Sequence, residues 1–220
     1  LRAVTLGYGN EHVTRAANKA AMEGNCLARP SVTELHAAER LVEIIPNVEM
    51  IKFAKNGSTV TSAAMKLARA FTGRKYVAVC ADHPFYSYDD WFIGSTNVPR
   101  GIPDETIKLT KQFHYNDIES LKKQILKYKN KIACAVLEPS STECPKINKK
   151  DNSCCHKAVC DRHFKKEDHF LKQVEKICKK NKIVFVLDEM ITGFRWDIKG
   201  AQNFYGVKPD LSTFGKAMAN

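Results

Sequence analysis

Three short segments of the chain carry side chains that are suited to chemistry on a bound small molecule. The segment NGST, which includes Gly57 and Ser58, opens a helical pattern, and unpaired N–H groups at a helix start favour a phosphate. Asp188 closes the apolar run IVFVLDE, where an ionised carboxylate needs a cationic or hydrogen-bonding partner. Lys216 follows a glycine in a stretch with few charges, and a desolvated lysine can attack a carbonyl group.

Each of these features also has an ordinary structural explanation. Ser58 could belong to a plain helix cap, Asp188 could form a salt bridge with Arg195 or cap a helix, and Lys216 could be a surface lysine. Together the three are more informative. A cofactor with a phosphate, a pyridine nitrogen and an aldehyde requires a helix N-terminus, a carboxylate and a lysine at one site.

The elements that must position these residues alternate between strands and helices. Strands that are apolar on both faces and separated by helices are typical of a parallel sheet. The sequence therefore predicts an α/β fold, with a mainly parallel sheet covered by helices on both faces. The predicted helices are residues 33–45, 56–73, 117–128 and 170–180, and the predicted strands are residues 48–55, 76–81, 131–139, 183–189 and a last short segment at 209–216.

Polar residues follow several of the predicted strands. Asp82 and His83 come after YVAVCA, Glu138 ends KIACAVLE, and Asp188 lies at the end of IVFVLDE. In parallel sheets, ligands bind at the carboxyl ends of the strands. We therefore expect these side chains to lie along one edge of the sheet, together with Lys216.

Four stretches resemble class III aminotransferases and the related glutamate-1-semialdehyde aminomutases, which are pyridoxal 5'-phosphate (PLP) enzymes of fold type I. The stretch LDEMITGFRW resembles their Asp-Glu-Val-x-Thr-Gly-Phe-Arg signature, and PDLSTFGKAMAN resembles their segment with the cofactor lysine. KNGSTVTSAAMKLARAFTGR is similar to their phosphate-binding turn and helix, and LGYGNEHV to an upstream glycine-containing stretch. The similar stretches occur in the family's order from Leu6 to Asn220.

The resemblance implies a role for each matching residue. Lys216 would hold PLP covalently, and Asp188 would be the partner of the pyridine nitrogen. Gly57 and Ser58 would bind the phosphate, and Met190 would pack near the ring in place of the family's valine. Glu138 would lie near the cofactor or the substrate.

Two regions depart from the family pattern. Many members have an aromatic residue, a histidine and a glycine where this chain has Asp82, His83 and proline, so ring stacking would fall to His83 or Phe85. A lysine-rich insertion is expected at residues 143–168. Its cysteines and histidines are residue types that zinc accepts, but their spacing fits no paired Cys-x-x-Cys site, so no metal site is predicted; they are Cys144, Cys154, Cys155, His156, Cys160 and His163.

Composition limits the remaining possibilities. The net charge of +11 arises largely from residues 122–131 and 146–182, where lysines alternate with helix-type positions. This pattern favours a solvated face over a nucleic-acid platform, which would interleave aromatic residues. Eight cysteines without a secretory signal indicate free thiols in a reducing, cytoplasmic compartment, and no apolar run predicts a membrane helix.

The sequence is thus interpreted as one PLP-binding large domain over residues 1–220, truncated at both ends. The resemblance implies transfer of an amino group within one substrate or between two, with an amino acid, amino aldehyde or keto compound as substrate. It also implies a homodimer. The alternative is a catalytically inactive, truncated homologue that serves as a binding or structural protein.

Overall fold

The computed structural model describes residues 3–24, 28–83, 85–140, 143–147 and 168–218. Within these residues, five strands alternate with helices along the chain. The strands are β1 (Tyr76–Cys80), β2 (Thr110–Phe113), β3 (Ile132–Leu137), β4 (Val184–Glu189) and β5 (Leu211–Phe214). The helices are α1 (Glu11–Glu23), α2 (Val32–Ile44), α3 (Gly57–Thr72), α4 (Asp90–Ile93), α5 (Asp104–Ile107), α6 (Ile118–Lys127), α7 (Phe170–Asn181) and α8 (Ala201–Tyr205), followed by a short 3₁₀ helix (Lys216–Met218).

All five strands pair in parallel in one sheet, in the order β2-β1-β3-β4-β5. The central strands β3 and β4 are buried along their whole length, which explains their continuous apolar sequences. The strand order reverses between β1 and β3, and clefts at the carboxyl ends of the strands form at such a reversal.

Helices cover both faces of the sheet, as predicted. Because side chains alternate between the two faces of a strand, β1, β3 and β4 each contribute to two separate apolar layers. The layer under α3 includes Ala64, Met65, Ala68, Val77, Val79, Val136, Val184 and Val186. The layer under α6 and α7 includes Ala78, Leu121, Ala135, Leu171, Val174, Cys178, Phe185 and Leu187.

This alternation separates two adjacent carboxylates at the end of β4. Asp188 continues the series of Val184 and Val186, which face α3, whereas Glu189 continues that of Phe185 and Leu187. The sheet therefore directs Asp188 towards the start of α3 and Glu189 towards the opposite layer.

One predicted strand is wrong. Residues 48–55 form no strand in the structure. They lie outside the five-stranded sheet and have no backbone hydrogen-bond partner in it. Met50, in the middle of this segment, is 90% exposed. The sequence also failed to predict α1 and the edge strand β2, whose residues Thr-Lys-Gln-Phe lack a continuous apolar pattern.

The cysteine predictions have a mixed outcome. Cys80, Cys134 and Cys178 are buried free thiols, as expected. Cys144 is disulfide-bonded, which contradicts the expectation of free thiols for this residue. The other cysteines and histidines of the predicted insertion lie outside the described residues, as does Cys26.

Two other kinds of site are absent from the described residues. None of the helices there combines the length and the apolar character needed to cross a membrane. In the same part of the chain, no group of three or more histidine, cysteine or acidic side chains is arranged to hold a metal ion.

The packing of α7 on the sheet gives a stability prediction. Leu171 on α7 is completely buried, so Leu171→Ala leaves a cavity and should lower the free energy of unfolding by about 2–5 kcal/mol. Leu126→Ala on α6 is the matched control, because Leu126 is 76% exposed. Urea unfolding followed by circular dichroism measures both; equal stabilities of the two variants would contradict this packing.

Candidate functional site

The start of α3 presents two backbone N–H groups that have no partner in the described part of the chain. Asn56 caps the helix, since its Oδ1 accepts hydrogen bonds from the N–H (3.0 Å) and Oγ1 (3.1 Å) of Thr59. Its carbonyl accepts the N–H of Val60 at 3.2 Å. The N–H groups of Gly57 and Ser58 form no hydrogen bond within the described residues, so they remain available to an anion.

Ser58 also connects this turn to the segment after β1. Its Oγ accepts a hydrogen bond from the N–H of Tyr88 at 3.3 Å, and its carbonyl accepts one from Oγ1 of Thr61 at 3.0 Å. The same hydroxyl lies 2.9 Å from the carbonyl oxygen of Tyr86 and shares its proton between the two carbonyls. The predicted phosphate turn is therefore held in place from two sides.

Met190 lies between two glycines that belong to different parts of the site. A Cβ atom on Gly57 would be 3.1 Å from Sδ of Met190, and one on Gly215 would be only 2.5 Å from it. These glycines allow the start of α3 and the end of β5 to approach the same side chain closely. Met190 thus links the predicted phosphate turn to the residue before Lys216.

Asp188 is a buried carboxylate with a defined set of donors. It is 1% exposed, and its Oδ1 accepts hydrogen bonds from the N–H of Met190 at 2.9 Å and Oγ1 of Thr213 at 3.0 Å. In the described part of the chain no donor reaches its Oδ2, and the alternative of a salt bridge with Arg195 is not observed.

Burial has the largest effect on the pKa of Asp188. Desolvation raises its pKa from the ordinary 3.8 to about 6, although the hydrogen bonds from Met190 and Thr213 and the positive charge of Lys216 act in the opposite direction. The carboxylate would be stabilised further by a cation or N–H donor at its unoccupied oxygen.

Glu189 has a structural role instead. Its Oε2 accepts hydrogen bonds from Oγ1 of Thr192 at 2.9 Å and the N–H of Ala201 at 2.8 Å, while its Oε1 accepts the N–H of Gln202 at 2.8 Å. The bonds from Ala201 and Gln202 give the first backbone N–H groups of α8 an acceptor. Of the two adjacent carboxylates, only Asp188 retains an oxygen free for a ligand.

Lys216 begins the 3₁₀ helix directly after β5 and is half-buried. Its φ angle of +46° lies in the left-handed region, which is unusual for a residue with a side chain and is found at functional sites. The register pairs Asp188 with Thr213, and the charge of Lys216 lowers the pKa of Asp188. Lys216 and Asp188 therefore belong to the same part of the sheet edge.

His83 and Glu138 form a second pair. Nδ1 of His83 accepts the backbone N–H of Glu138 at 3.1 Å and lies 2.8 Å from the hydroxyl of Tyr86. The imidazole also packs against the ring of Tyr115, with centroids 4.9 Å apart. Burial lowers the pKa of His83 to about 4, so the ring is neutral at pH 7 and carries its proton on Nε2.

Asp82 and Phe85 contact residues outside the pair of His83 and Glu138. Oδ2 of Asp82 accepts the N–H of Tyr115 at 2.6 Å, and its Oδ1 lies 3.2 Å from Nδ1 of His114. Phe85 is 54% exposed and packs edge-on against Phe92, with ring centroids 5.6 Å apart. Of the two candidates for ring stacking, His83 is thus the buried one.

The structure brings most of the predicted residues into two contact groups. The first contains Gly57, Asp188, Met190 and Lys216, and the second contains His83 and Glu138. Sequence reasoning missed Tyr86 and Thr213, which hold His83 and Asp188 through their hydroxyl groups. The aromatic-rich stretch HPFYSYDDW was the signal that could have indicated Tyr86.

The chain is similar in sequence to known proteins. The family model described as Aminotransferase class-III matches residues 162–220. The chain is 33% identical over 223 residues to the glutamate-1-semialdehyde 2,1-aminomutase of Francisella philomiragia, covering 97% of this chain and 47% of that protein. The enzyme of the same name from Cytophaga hutchinsonii is 31% identical over 220 residues, with 96% of this chain and 47% of that protein covered.

Solved structures share the fold. The PLP internal aldimine form of FumI from Sphingopyxis sp. MTA144 has a TM-score of 0.75 and 27% identity, covering 96% of this chain and 47% of that chain. An omega-transaminase from Sphaerobacter thermophilus has a TM-score of 0.79 at 24% identity, covering 98% and 48%.

These matches confirm the resemblance seen in the motifs. The chain is similar to class III aminotransferases over residues 162–220, aligns over most of its length with proteins named glutamate-1-semialdehyde 2,1-aminomutase, and has the α/β fold of the solved structures. It spans about half the length of the curated relatives it matches.

The acidity of Asp188 gives a prediction about stability and pH. In the folded protein its pKa is about 6 and in the unfolded chain it returns to about 3.8, so the folded state binds the proton more tightly. Stability is therefore lost as pH rises from about 4 to about 6, and above pH 6 the buried charge costs about 3 kcal/mol.

Asp188→Asn removes this charge and keeps an acceptor for Met190 and Thr213. The cofactor-free variant should unfold at higher urea concentration than the cofactor-free wild type at about pH 7.5, and the difference should disappear near about pH 4. Asp104→Asn, at an exposed position, is the control and should show no such change. A variant that is no more stable than wild type at the higher pH would contradict the cost assigned to the buried carboxylate.

Proposed function

We propose that this chain binds PLP covalently through Lys216 and forms the cofactor-binding part of an enzyme that transfers amino groups. The observation that carries the proposal is the buried carboxylate of Asp188, fixed through Oδ1 by Met190 and Thr213 and influenced by the charge of Lys216. A buried carboxylate with one oxygen unused is suited to a protonated pyridine nitrogen.

The other residues fit the remaining groups of PLP. The N–H groups of Gly57 and Ser58 would hold the phosphate at the positive end of the α3 dipole. Met190, which contacts both glycine-containing turns, would lie beside the ring. His83 is the buried aromatic candidate for stacking on the opposite face, and Glu138 is joined to it through the backbone N–H.

When bound, PLP supplies an electron-withdrawing ring that stabilises negative charge on the substrate carbon next to nitrogen. Lys216 would provide the amine that holds the cofactor, and its Nζ would accept and return a proton at the substrate carbon next to nitrogen. Asp188 would place a negative charge beside the pyridine nitrogen and so favour its protonated form. Gly57 and Ser58 would hold the phosphate in a fixed position.

The proposed substrate class is based on the names of the similar proteins. Small amino acids, amino aldehydes or keto compounds are the proposed substrates, with the amino group moved within one molecule or between two. Both possibilities remain part of the proposal, because the relatives include proteins named as aminomutases and as transaminases. The single large domain, homodimeric assembly and cytoplasmic location expected from the sequence are likewise proposals.

A catalytically inactive homologue is the second candidate function. It is favoured by Asp82, which occupies the family's aromatic position but is engaged with Tyr115 and His114 after β2. Such a protein would bind PLP at Lys216 without converting an amino donor.

Covalent attachment is tested by mass spectrometry. After incubation with PLP and borohydride reduction, wild type should carry about one cofactor per chain on Lys216, and Lys216→Ala should carry none, because only a lysine amine forms the reducible bond. Lys199→Ala, at an exposed lysine, is the control and should label as wild type does. Equal labelling of Lys216→Ala and wild type would contradict the assignment of Lys216.

Turnover separates the two candidate functions. Unreduced wild type loaded with PLP is mixed with an amino donor such as alanine or glutamate, and conversion of the cofactor to its amine form is followed by absorbance. Conversion by wild type supports amino transfer. Covalent labelling at Lys216 without conversion by a panel of amino donors would support the inactive homologue.

A further inference from the structure

Thr213 lies directly beside Asp188 in the sheet. The register pairs Asp188 on β4 with Thr213 on β5, so the two side chains project from the same face of the sheet. Thr213 is 2% exposed, whereas the other three residues of β5 are only partly buried. The one buried position of this short strand is therefore the position next to the carboxylate.

The hydroxyl of Thr213 shares one carboxylate oxygen with a backbone donor. Its Oγ1 donates to Oδ1 of Asp188 at 3.0 Å, and the N–H of Met190 donates to the same oxygen at 2.9 Å. An ionised carboxylate can only accept hydrogen bonds, so the hydroxyl proton must point at it. Two donors at Oδ1 restrict rotation of the carboxyl group, and within the described residues they leave Oδ2 as the oxygen without a donor.

Thr213 is also the side chain that stabilises the charged form of Asp188 through a hydrogen bond. Its bond lowers the pKa of Asp188, against the larger effect of burial. Three other ionisable groups act at this place. The charge of Lys216 also lowers that pKa, while Tyr86 and Glu189 have pKa values that Asp188 helps to raise. In the described part of the chain none of these three side chains donates a hydrogen bond to Asp188.

The neighbouring hydroxyl on β5 makes its contact on the other side of the sheet. Oγ of Ser212 donates to Oε1 of Gln202 on α8 at 3.2 Å. Within the described residues, β5 is an edge strand that pairs only with β4, and it ends two residues before Lys216. Ser212 thus offers a matched hydroxyl on the same strand that does not contact Asp188.

We propose that Thr213 is a positioning residue of the cofactor site, whose hydroxyl holds Oδ1 of Asp188 and so keeps Oδ2 for the pyridine nitrogen. This inference rests on the proposed function, because it assumes that the site takes the ring of PLP. Thr213 acts through Asp188 and not on the reacting atoms. Without the hydroxyl, the carboxyl group can rotate and its charged form loses a donor, so it holds a cationic nitrogen less tightly.

The first test concerns the cofactor-free protein. Thr213→Val keeps the shape of the side chain and removes the hydroxyl, so the pKa of Asp188, followed by ¹³C NMR of its carboxyl carbon, should lie about one pH unit above that of wild type. Thr213→Ser keeps a hydroxyl and should titrate as wild type does, as should the control Ser212→Ala. An unchanged pKa in Thr213→Val would overturn the proposal.

The second test measures the effect on a bound ring. The probe is 4'-deoxypyridoxine 5'-phosphate, which has the ring nitrogen and the phosphate of PLP but no aldehyde, so that Lys216 cannot hold it covalently. At about pH 7.5, Thr213→Val should bind it about tenfold more weakly than wild type, as the loss of one hydrogen bond to a charged group predicts. Thr213→Ser should restore the affinity, and Ser212→Ala should leave it unchanged.

The outcomes separate this proposal from the proposed function. A wild type that binds neither the probe nor PLP would contradict the proposed function and, with it, the positioning role. A wild type that binds the probe, together with equal affinity in Thr213→Val, would overturn the positioning role alone. Equal weakening by Thr213→Val and Ser212→Ala would overturn it as well, because the effect would then belong to the strand and not to the contact with Asp188.

Discussion

The arrangement of the site depends on a negative charge on a side chain that is only 1% exposed to water. Asp188 ends β4 on the face that packs under α3, and burial raises its pKa to about 6. An uncompensated carboxylate at this depth is unfavourable for the free protein, and two hydrogen bonds to one oxygen offset the cost only in part. A cationic ring nitrogen would remove the remaining penalty, so the charge that weakens the empty fold would strengthen cofactor binding.

Close packing then brings the other groups to the same place. Met190, two residues after Asp188, contacts the start of α3 and the end of β5, and both approaches require glycine. A substitution at Gly215 would place a Cβ atom 2.5 Å from the sulfur of Met190 and would displace Lys216 or Met190. The phosphate turn, the carboxylate and the lysine are thus coupled through one side chain.

Much of this arrangement was predictable, for identifiable reasons. The apolar runs of β3 and β4 predict buried parallel strands, and parallel strands align their carboxyl ends, which places Glu138 and Asp188 at one edge. Residues 48–55 show the limit of this reasoning, since an extended apolar pattern does not reveal whether a strand has a partner. The edge strand β2 was missed because one of its faces is exposed and its sequence is largely polar.

The site was less predictable where a side-chain contact depends on the fold and not on the local sequence pattern. The bond from Thr213 to Asp188 and that between Tyr86 and His83 depend on strand register and loop path, which local patterns do not encode. The separate role of Glu189 follows from the two-residue period of β4, yet its partners in α8 become known only from the fold.

The most direct test of the central role of Asp188 is the ¹⁵N chemical shift of the ring nitrogen in PLP labelled at that atom and bound to the protein. We expect a protonated nitrogen in wild type at about pH 8 and an unprotonated nitrogen in Asp188→Asn, because a buried carboxylate favours the cation beside it. An unprotonated ring nitrogen in wild type, or the same shift in wild type and Asp188→Asn, would contradict it.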